Sequence, residues 1–141
     1  MDEESRASPV DVHALAERDA FIKSLGIEIV EAAGDRVVTR LIIEERHLNF
    51  NGVGQGGLTF TLADAAFGYA CNSHGFVSGA IDAHIVFCVP VHRGDVLTAT
   101  AVGISRSSRL SNYRVDVTRA DGVLVAAFTG TAYITGKPMA G

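Results

Sequence analysis

The spacing of apolar residues in the first third of the chain predicts one helix followed by two strands. Ser8, Pro9 and Asp11 form a helix-start pattern, with Ser8 as the N-cap. Gly26 is well placed to end this helix. From Ile27 onward the apolar period changes to two, which predicts two strands that turn at 33–35.

The rest of the chain predicts one long helix and four more strands. After a polar, irregular segment at 44–53, an unusually apolar helix begins between 54 and 57 and ends between 72 and 75. Turn-forming residues separate the strands that follow. These strands are expected at about 77–89, 95–105, 110–119 and 123–134.

The long helix is apolar on nearly every side, so other elements must enclose it. A curved antiparallel sheet of five or six strands could wrap around it, which predicts an α+β domain with the long helix at its centre. The segment 80–89 is apolar on both strand faces, although only one face of the sheet meets the helix. We therefore expect the second face to contact another copy of the chain in a homo-oligomer.

Length and charge narrow the class of protein. The 141 residues suit a single domain over 1–141, with a flexible segment at 1–8 and a core at about 10–135. The net charge of −4 argues against a nucleic-acid partner. The sequence contains no run of about 18 apolar residues and no signal-peptide pattern, so no membrane partner is expected. Cys71 and Cys88 lie in apolar runs, as reduced thiols of a cytoplasmic protein do.

The start of the long helix is rich in glycine. Gly54, Gly56 and Gly57 leave backbone N–H groups unobstructed, and the helix dipole adds partial positive charge there. Such a terminus suits an oxyanion or a polarised carbonyl oxygen, and the Gln55 side chain could add a further N–H donor. Alternatively, the glycines only permit a tight turn into the helix. No Gly-Lys-Ser/Thr follows, so this is not a phosphate loop.

Asp64 is a lone carboxylate in the middle of the apolar helix. Such a group is costly unless it is paired, protonated or used in a reaction. A partly desolvated carboxylate beside an electrophile can act as a general base or a nucleophile. The alternatives are a structural acid bonded to a backbone N–H or a hydroxyl, and an inert acid on a solvent-facing side of the helix.

The spacing between Gly56 and Asp64 limits whether both residues can contact the same substrate group. Eight residues separate them, which is about 12 Å along a helix, whereas a carbonyl carbon and its oxygen are only about 1.2 Å apart. One helix therefore cannot offer both groups to one small substrate group. Two antiparallel helices across a dimer axis could do so, which predicts two equivalent sites at a two-fold interface.

The segment HLNFNGVGQGGLTFTLADAAF (residues 47–67) resembles the signature of hot-dog-fold acyl-CoA thioesterases of the phenylacetate-degradation type. The later motifs NSHG (72–75), GDVLTA (94–99) and DGVLVA (121–126) extend the resemblance over roughly residues 10–135. The order of the motifs is more specific than any one of them alone.

The resemblance implies a hot-dog dimer, commonly paired into a tetramer, that hydrolyses an acyl-CoA thioester without a cofactor. By position, Asp64 matches the catalytic acid of the family, and Gly56 matches the residue whose N–H polarises the thioester carbonyl. Asn49 matches the loop asparagine near the site, and Gly57 follows as a substrate-binding glycine. The acyl group itself is not readable. An aromatic-friendly pocket could be formed by Phe50, Phe60, Phe67, Tyr69 and Phe87, but the same residues could equally build the core.

Two departures from the family pattern stand out. Gln55 occupies the position of the usual His in His-Gly-Gly, so it can donate a hydrogen bond but cannot shuttle a proton. The strand after the helix reads IVFCVP (85–90) where the family often has Ile-Asp-Phe-Leu-Arg-Pro. Asp82 and His84 are two residues apart and so share a strand face. They could form a polar pair near the acyl pocket, or a surface or interface pair.

Arg106, Arg109 and Lys137 lie at loop or strand-end positions. There they could bind the phosphates of CoA, or they could serve only as solubilising charges. No His, Cys and Asp spacing fits a metal site.

The sequence as a whole favours an acyl-CoA thioesterase. The alternatives are a non-catalytic acyl-CoA or small-ligand binding protein and, on weaker grounds, a hydratase or dehydratase.

Overall fold

The computed structural model describes residues 10–140. The segment 1–8, which the sequence predicts to be flexible, lies outside these residues, as do Ser8 and Pro9 of the expected helix start.

The N-terminal helix is present but divided in two, as α1 (Val12–Glu17) and α2 (Ala20–Leu25). The N-cap of α1 is Asp11 instead of Ser8. The break has a local cause, because the Asp19 side chain accepts a hydrogen bond from the N–H of Ile22 at 3.1 Å and caps a second helix. Gly26 ends α2 with a φ of 80°, a left-handed conformation that glycine adopts without strain.

A six-stranded antiparallel sheet surrounds the long helix α3 (Gly56–Asn72), as the sequence predicts. The strands lie side by side in the order β1-β2-β4-β5-β6-β3. Their bounds are Glu28–Ala33 (β1), Arg36–Ile42 (β2), Phe76–Phe87 (β3), Val96–Arg106 (β4), Leu110–Arg119 (β5) and Leu124–Pro138 (β6). A short 3-10 helix at Glu45–His47 lies in the segment that leads to α3.

The core lies between α3 and the inward face of the sheet. Four aromatic rings form its centre: Phe67 is 5.7 Å from both Tyr113 and Phe128, and Phe60 is 5.5 Å from Phe128 between ring centroids. Edge-to-face and tilted contacts at such distances stabilise a core beyond simple burial. Leu62, like the Phe67 ring, is almost completely buried, so α3 depends on the sheet for its environment.

Gly130 of β6 lets α3 approach the sheet closely. A Cβ atom at this position would lie 3.0 Å from the Phe67 ring and 3.1 Å from the Phe128 ring. Since both rings are buried in the core, neither has space to move away.

Polar contacts fix the position of α3 along the sheet. The Thr39 hydroxyl of β2 donates to the carbonyl of Leu62 at 3.0 Å. At the end of the helix, the Asn72 carboxamide accepts from the N–H of Ser78 at 2.8 Å and donates to the carbonyl of Ser78 at 3.1 Å. These bonds link the middle and the end of α3 to strands on opposite sides of the sheet.

Within residues 10–140, strand β3 is an edge strand that pairs in the sheet with β6 alone. Most of its side chains are exposed, including the large apolar Val77, Ile81, Val86 and Phe87. An exposed edge with apolar side chains is a surface on which another strand can pair.

We expect Gly130→Ala to lower the free energy of unfolding by about 2 kcal/mol, because the added methyl group overpacks the contact with Phe67. Gly79→Ala is the matched control: Gly79 is also a strand glycine without positive φ, and a Cβ there meets no atom within 4 Å. This control should stabilise the protein slightly, by about 0.5 kcal/mol. Chemical denaturation measures both values, and equal losses in the two variants would contradict the packing argument.

Candidate functional site

Asn49 shapes the loop that leads into α3. Its side-chain oxygen accepts hydrogen bonds from the N–H groups of Asn51 at 2.8 Å and Val53 at 3.4 Å. Its own N–H donates to the carbonyl of Val53 at 2.7 Å. The side-chain amide nitrogen of Asn49 has no partner among residues 10–140, so it remains free to donate to a ligand.

The loop is anchored on both sides just before the helix starts. The N–H of Gly54 donates to the carbonyl of Val91 at 2.8 Å, and the N–H of Gln55 donates to the carbonyl of His47 at 2.9 Å. A Cβ atom on Gly54 would overlap the Val91 side chain, so a glycine is required here for close packing. Gly54 is therefore a structural glycine.

Gly56 and Gly57 open the helix with N–H groups that have no hydrogen-bond partner in the described chain. The helix dipole makes this end partly positive. Gly56 borders a pocket of about 290 Å3 that it shares with Thr59 and with the segment 87–91. The Gly56 N–H can therefore receive a carbonyl oxygen that carries developing negative charge.

Gln55 is the N-cap residue of α3, and its exposed side chain makes no hydrogen bond in the described structure. Together with Gly57 it lines a neighbouring pocket of about 320 Å3. His47 is buried instead: its Nδ1 accepts from the N–H of Glu44 at 2.9 Å, and its Nε2 lies 3.0 Å from the carbonyl of Leu25. His47 thus ties the loop to α2, while Gln55 stays free to contact a substrate.

Asp64 is half-buried and has no hydrogen-bond partner in the described part of the chain. Burial raises the pKa of its carboxyl above the ordinary value. The structural alternative, an acid bonded to a backbone N–H or a hydroxyl, is therefore not what residues 10–140 show. A desolvated, unpaired carboxylate is the form that a general base or a nucleophile requires.

The Asp64 carboxylate faces a cleft of about 690 Å3 between the N-terminal helices and α3, which we call the Asp64 cleft. This volume is within the usual range for small-molecule sites. The cleft is lined by Leu15, Arg18, Asp19, Ala20, Phe21, Ile22, Phe60, Thr61, Asp64, Ala65, Gly68, Tyr69, Asn72, Val77 and Met139. Most of this lining is apolar, which suits a hydrophobic acyl group.

The two ends of the described chain form walls of this cleft that sequence reasoning missed. The Tyr69 hydroxyl donates to the Asp19 carboxylate at 2.6 Å, which holds α2 against α3. Burial and the neighbouring Asp19 both raise the pKa of Tyr69. On the opposite side, the N–H of Met139 donates to the carbonyl of Gly75 at 2.7 Å. The capping preference of Asp19 was the only local signal for this arrangement.

Within one chain, Asp64 and Gly56 lie in different pockets. Eight residues of continuous helix separate them, about 12 Å along the axis. One helix therefore carries free N–H donors at its start and a carboxylate in its middle, in separate pockets.

Asp82 and His84 lie on the outward face of β3. Their register partners on β6 are Thr131 and Thr129, which alternate with the inward-facing Phe128 and Gly130. Both side chains are exposed and make no hydrogen bond with each other. Within one chain, the structure brings this pair neither to the Asp64 cleft nor to Gly56.

The three predicted phosphate-binding cations lie at the β4–β5 connection and near the end of β6. Arg106 ends β4 close to Asp35, and its charge helps to lower the pKa of that carboxyl. Arg109 donates to the Tyr133 hydroxyl at 2.9 Å, and Lys137 is exposed near the end of β6. None of the three cations lines the Asp64 cleft or the two pockets at the start of α3.

A second carboxylate, Asp35, is the centre of a polar cluster that the sequence did not reveal. Burial opposes its ionisation, but hydrogen bonds with His74 and with the Tyr113 hydroxyl (2.8 Å) outweigh this effect and lower the pKa of Asp35. The cluster connects the β1–β2 turn to β5 and to the segment after α3. Every member has a partner, so its role is structural.

Residues 10–140 contain no group of three or more His, Cys, Asp or Glu side chains placed to hold a metal ion. In the same range, no helix has the length and the hydrophobicity needed to cross a membrane.

Comparison with known proteins connects this geometry to a family. The model of the Thioesterase superfamily matches residues 51–126. The chain is 34% identical to acyl-coenzyme A thioesterase PaaI of Escherichia coli over 131 residues, which cover 93% of this chain and 94% of that protein. It is 30% identical to acyl-coenzyme A thioesterase 13 of Homo sapiens over 127 residues, which cover 87% of this chain and 91% of that protein.

Solved structures agree with the sequence relatives. The structure of E. coli PaaI, from the phenylacetic acid degradation operon, matches with a TM-score of 0.88 at 34% identity, over 91% of this chain and 93% of that chain. The smu.793 protein of Streptococcus mutans, solved with bound acetyl CoA, matches with a TM-score of 0.77 at 26% identity, over 80% and 91% of the two chains. The predicted hot-dog fold and the predicted family are therefore confirmed: the chain belongs to the thioesterase superfamily and is a thioester hydrolase.

Proposed function

We propose that this hydrolase cleaves acyl-CoA thioesters into a free acid and CoA. The observation that carries the proposal is the pair of half-sites on α3: unpartnered N–H groups at Gly56 and Gly57, and the unpaired, half-buried Asp64 carboxylate. The relatives are named acyl-coenzyme A thioesterases, and the S. mutans protein binds acetyl CoA, which supports CoA as the thiol. The reaction requires water but no cofactor.

The proposed reaction uses the two half-sites for different tasks. The Gly56 N–H donates to the thioester carbonyl oxygen and stabilises the negative charge that develops there. The Asp64 carboxylate takes a proton from a water molecule, whose oxygen attacks the carbonyl carbon. When the tetrahedral intermediate collapses, the C–S bond breaks and the departing sulfur of CoA takes the proton from Asp64, which restores the carboxylate. Direct attack by Asp64, through an anhydride that water then opens, is the second form of the mechanism.

We propose that the site is completed across a dimer. The carbonyl must contact both an N–H group and a carboxylate that lie about 12 Å apart on a single helix, so the carboxylate comes from a second copy. The exposed apolar edge strand β3 supports this arrangement, because strand pairing at this edge would bury Val77 and Ile81. Dimers of this kind could pair further into the tetramer that the sequence resemblance implies.

The Asp64 cleft is the proposed site of the acyl group. Phe21 and Phe60 provide aromatic surface there, and Val77 and Met139 add apolar surface, which fits an aromatic acyl group among others.

Gln55 and the side-chain amide of Asn49 are proposed to orient the thioester or the water. Phosphate binding by Arg106 and Arg109, and acyl-pocket roles for Asp82 and His84, remain predictions that would require a partner subunit to bring them near the substrate.

A cytoplasmic location is part of the proposal. Both cysteines are free: Cys71 is buried, and burial raises the pKa of its thiol to about 12, while Cys88 is exposed. Free thiols of this kind persist in a reducing compartment.

The direct test measures thiol release from a panel of aromatic, short-chain and medium-chain acyl-CoAs. We expect Asp64→Asn and Asp64→Ala to lower kcat by about 10²- to 10⁴-fold, because the base or nucleophile is lost, while the oligomer stays folded. Asp116→Asn, on the exposed side of β5, is the matched control and should keep wild-type activity. Near-normal turnover in both Asp64 variants would remove this residue from the mechanism.

A wild-type protein that binds the esters but releases no thiol would instead indicate the non-catalytic binding protein, which the loss of the usual His at Gln55 favours.

The pH dependence should reveal the burial of Asp64. Because burial raises its pKa, kcat should fall with decreasing pH from a higher value than an exposed aspartate would give. At pH values between the pKa of Asp64 in the unfolded state and its higher pKa in the folded state, the folded protein binds more protons than the unfolded protein. The free energy of unfolding of the wild type therefore declines as pH rises through this window. Asp64→Asn should therefore have the higher Tm at pH 7, and this gain should disappear below the unfolded pKa. Equal stability curves at all pH values would contradict a desolvated carboxylate.

Complementation tests the shared site. Gly56→Val places a branched side chain against Phe87 in the pocket at the helix start, and Asp64→Asn removes the carboxylate. Each homodimer should be inactive, but a heterodimer contains one site in which both half-sites are intact. Co-expression should then restore about a quarter of the wild-type activity, since half the dimers are mixed and half their sites are intact. A mixture as inactive as its parents would place both groups in the same subunit.

The role of Gln55 can be separated from its size. Gln55→Leu keeps a similar length but loses the N–H donor, so kcat should fall at least about tenfold. Gln55→His retains a donor and should keep most of the activity while adding a titration near the imidazole pKa of about 6.5. Wild-type kinetics in Gln55→Leu would show that the side chain takes no part in carbonyl binding.

A further inference from the structure

Gly68 lies one helical turn after Asp64 on α3, and the two residues share the face that lines the Asp64 cleft. Gly68 is half-buried and lies within the helix, four residues before its end at Asn72. Glycine is the least favourable helix residue after proline, so its presence in this position requires a reason.

The usual structural reasons for a helical glycine do not apply here. The φ of Gly68 is not positive, so the backbone does not require glycine. A Cβ atom built at this position meets nothing within 4 Å in the described chain, so no neighbour excludes a side chain. Gly130, by contrast, faces two rings at 3.0 and 3.1 Å. What a side chain at residue 68 would occupy is the open space of the cleft beside Asp64.

We propose that Gly68 sets the width of the acyl group that the enzyme accepts. The absent side chain leaves a space one helical turn from the Asp64 carboxylate, in the cleft that Phe60, Ala65 and Val77 also line. A ring or a branch on the carbon next to the thioester carbonyl would occupy this space, whereas an acetyl group is too small to reach it. This inference rests on the proposed function, since it assumes that the acyl group binds in the Asp64 cleft.

The test compares the kcat/KM for phenylacetyl-CoA with that for acetyl-CoA in Gly68→Ala and Gly68→Leu. We expect the ratio of the two values to fall at least about tenfold in Gly68→Leu, with Gly68→Ala intermediate, because one or more extra carbon groups in an apolar pocket discriminate on this scale. Gly68→Ala should also raise Tm by about 3 °C, since alanine favours the helix and meets no obstacle. Asp116→Asn, on the exposed side of β5 and outside the cleft, is the control and should leave the ratio unchanged.

Three results would overturn the inference. An unchanged ratio in Gly68→Leu, with the wild-type enzyme active, would refute it while leaving the proposed function intact. A uniform loss for every ester, together with a smaller oligomer by light scattering, would show that Gly68 serves a helix contact between subunits. A wild-type protein that hydrolyses no ester would overturn the proposed function and this inference together.

Discussion

The enclosure of α3 by the curved sheet is the constraint on which the rest of the structure depends. The Phe67 ring packs against β6 where Gly130 leaves room for it, and Thr39 and Asn72 fix the helix along its axis. A helix held in this way is rigid, and its rise of about 1.5 Å per residue fixes the distance between any two of its residues. The separation of the Gly56 N–H from the Asp64 carboxylate is therefore set by the fold, and no local adjustment can close it.

This rigid spacing is the reason for the proposal that each chain provides two half-sites. A thioester carbonyl needs its donor and its base within a few ångströms, and continuous helix keeps these groups about 12 Å apart. If a second helix runs antiparallel beside the first, its Asp64 can lie opposite the Gly56 of its neighbour, and the same spacing then generates two equivalent sites. The unpaired edge of β3 is the surface on which such a second copy could pair.

Features that depend on local sequence were predictable, whereas features that depend on register and chain ends were not. The apolar length of α3, the turn at 33–35 and the left-handed Gly26 follow from periodicity and residue preference alone. Period two correctly placed Asp82 and His84 on one face, but only the pairing with β6 shows that this face points away from α3. Walls of the Asp64 cleft come from α2 and from Met139, which are far from α3 in sequence. The capping preference of Asp19 indicates where α2 begins, but no local pattern reveals that these segments pack beside α3.

The two sides of α3 have different surroundings, the packed core on one side and the open Asp64 cleft on the other. On the side that faces the sheet, Leu62 and Phe67 are fully buried and any change in volume disturbs the core. On the side that faces the cleft lie Asp64, which has no partner within residues 10–140, and Gly68. Both residue types have low helix propensity and are unfavourable in an isolated helix. The helix tolerates them because its stability comes from packing against the sheet and not from its own propensity. Residues on the cleft side can therefore change with the substrate while the sheet side preserves the fold, so acyl specificity can vary on this scaffold without a matching change in the core.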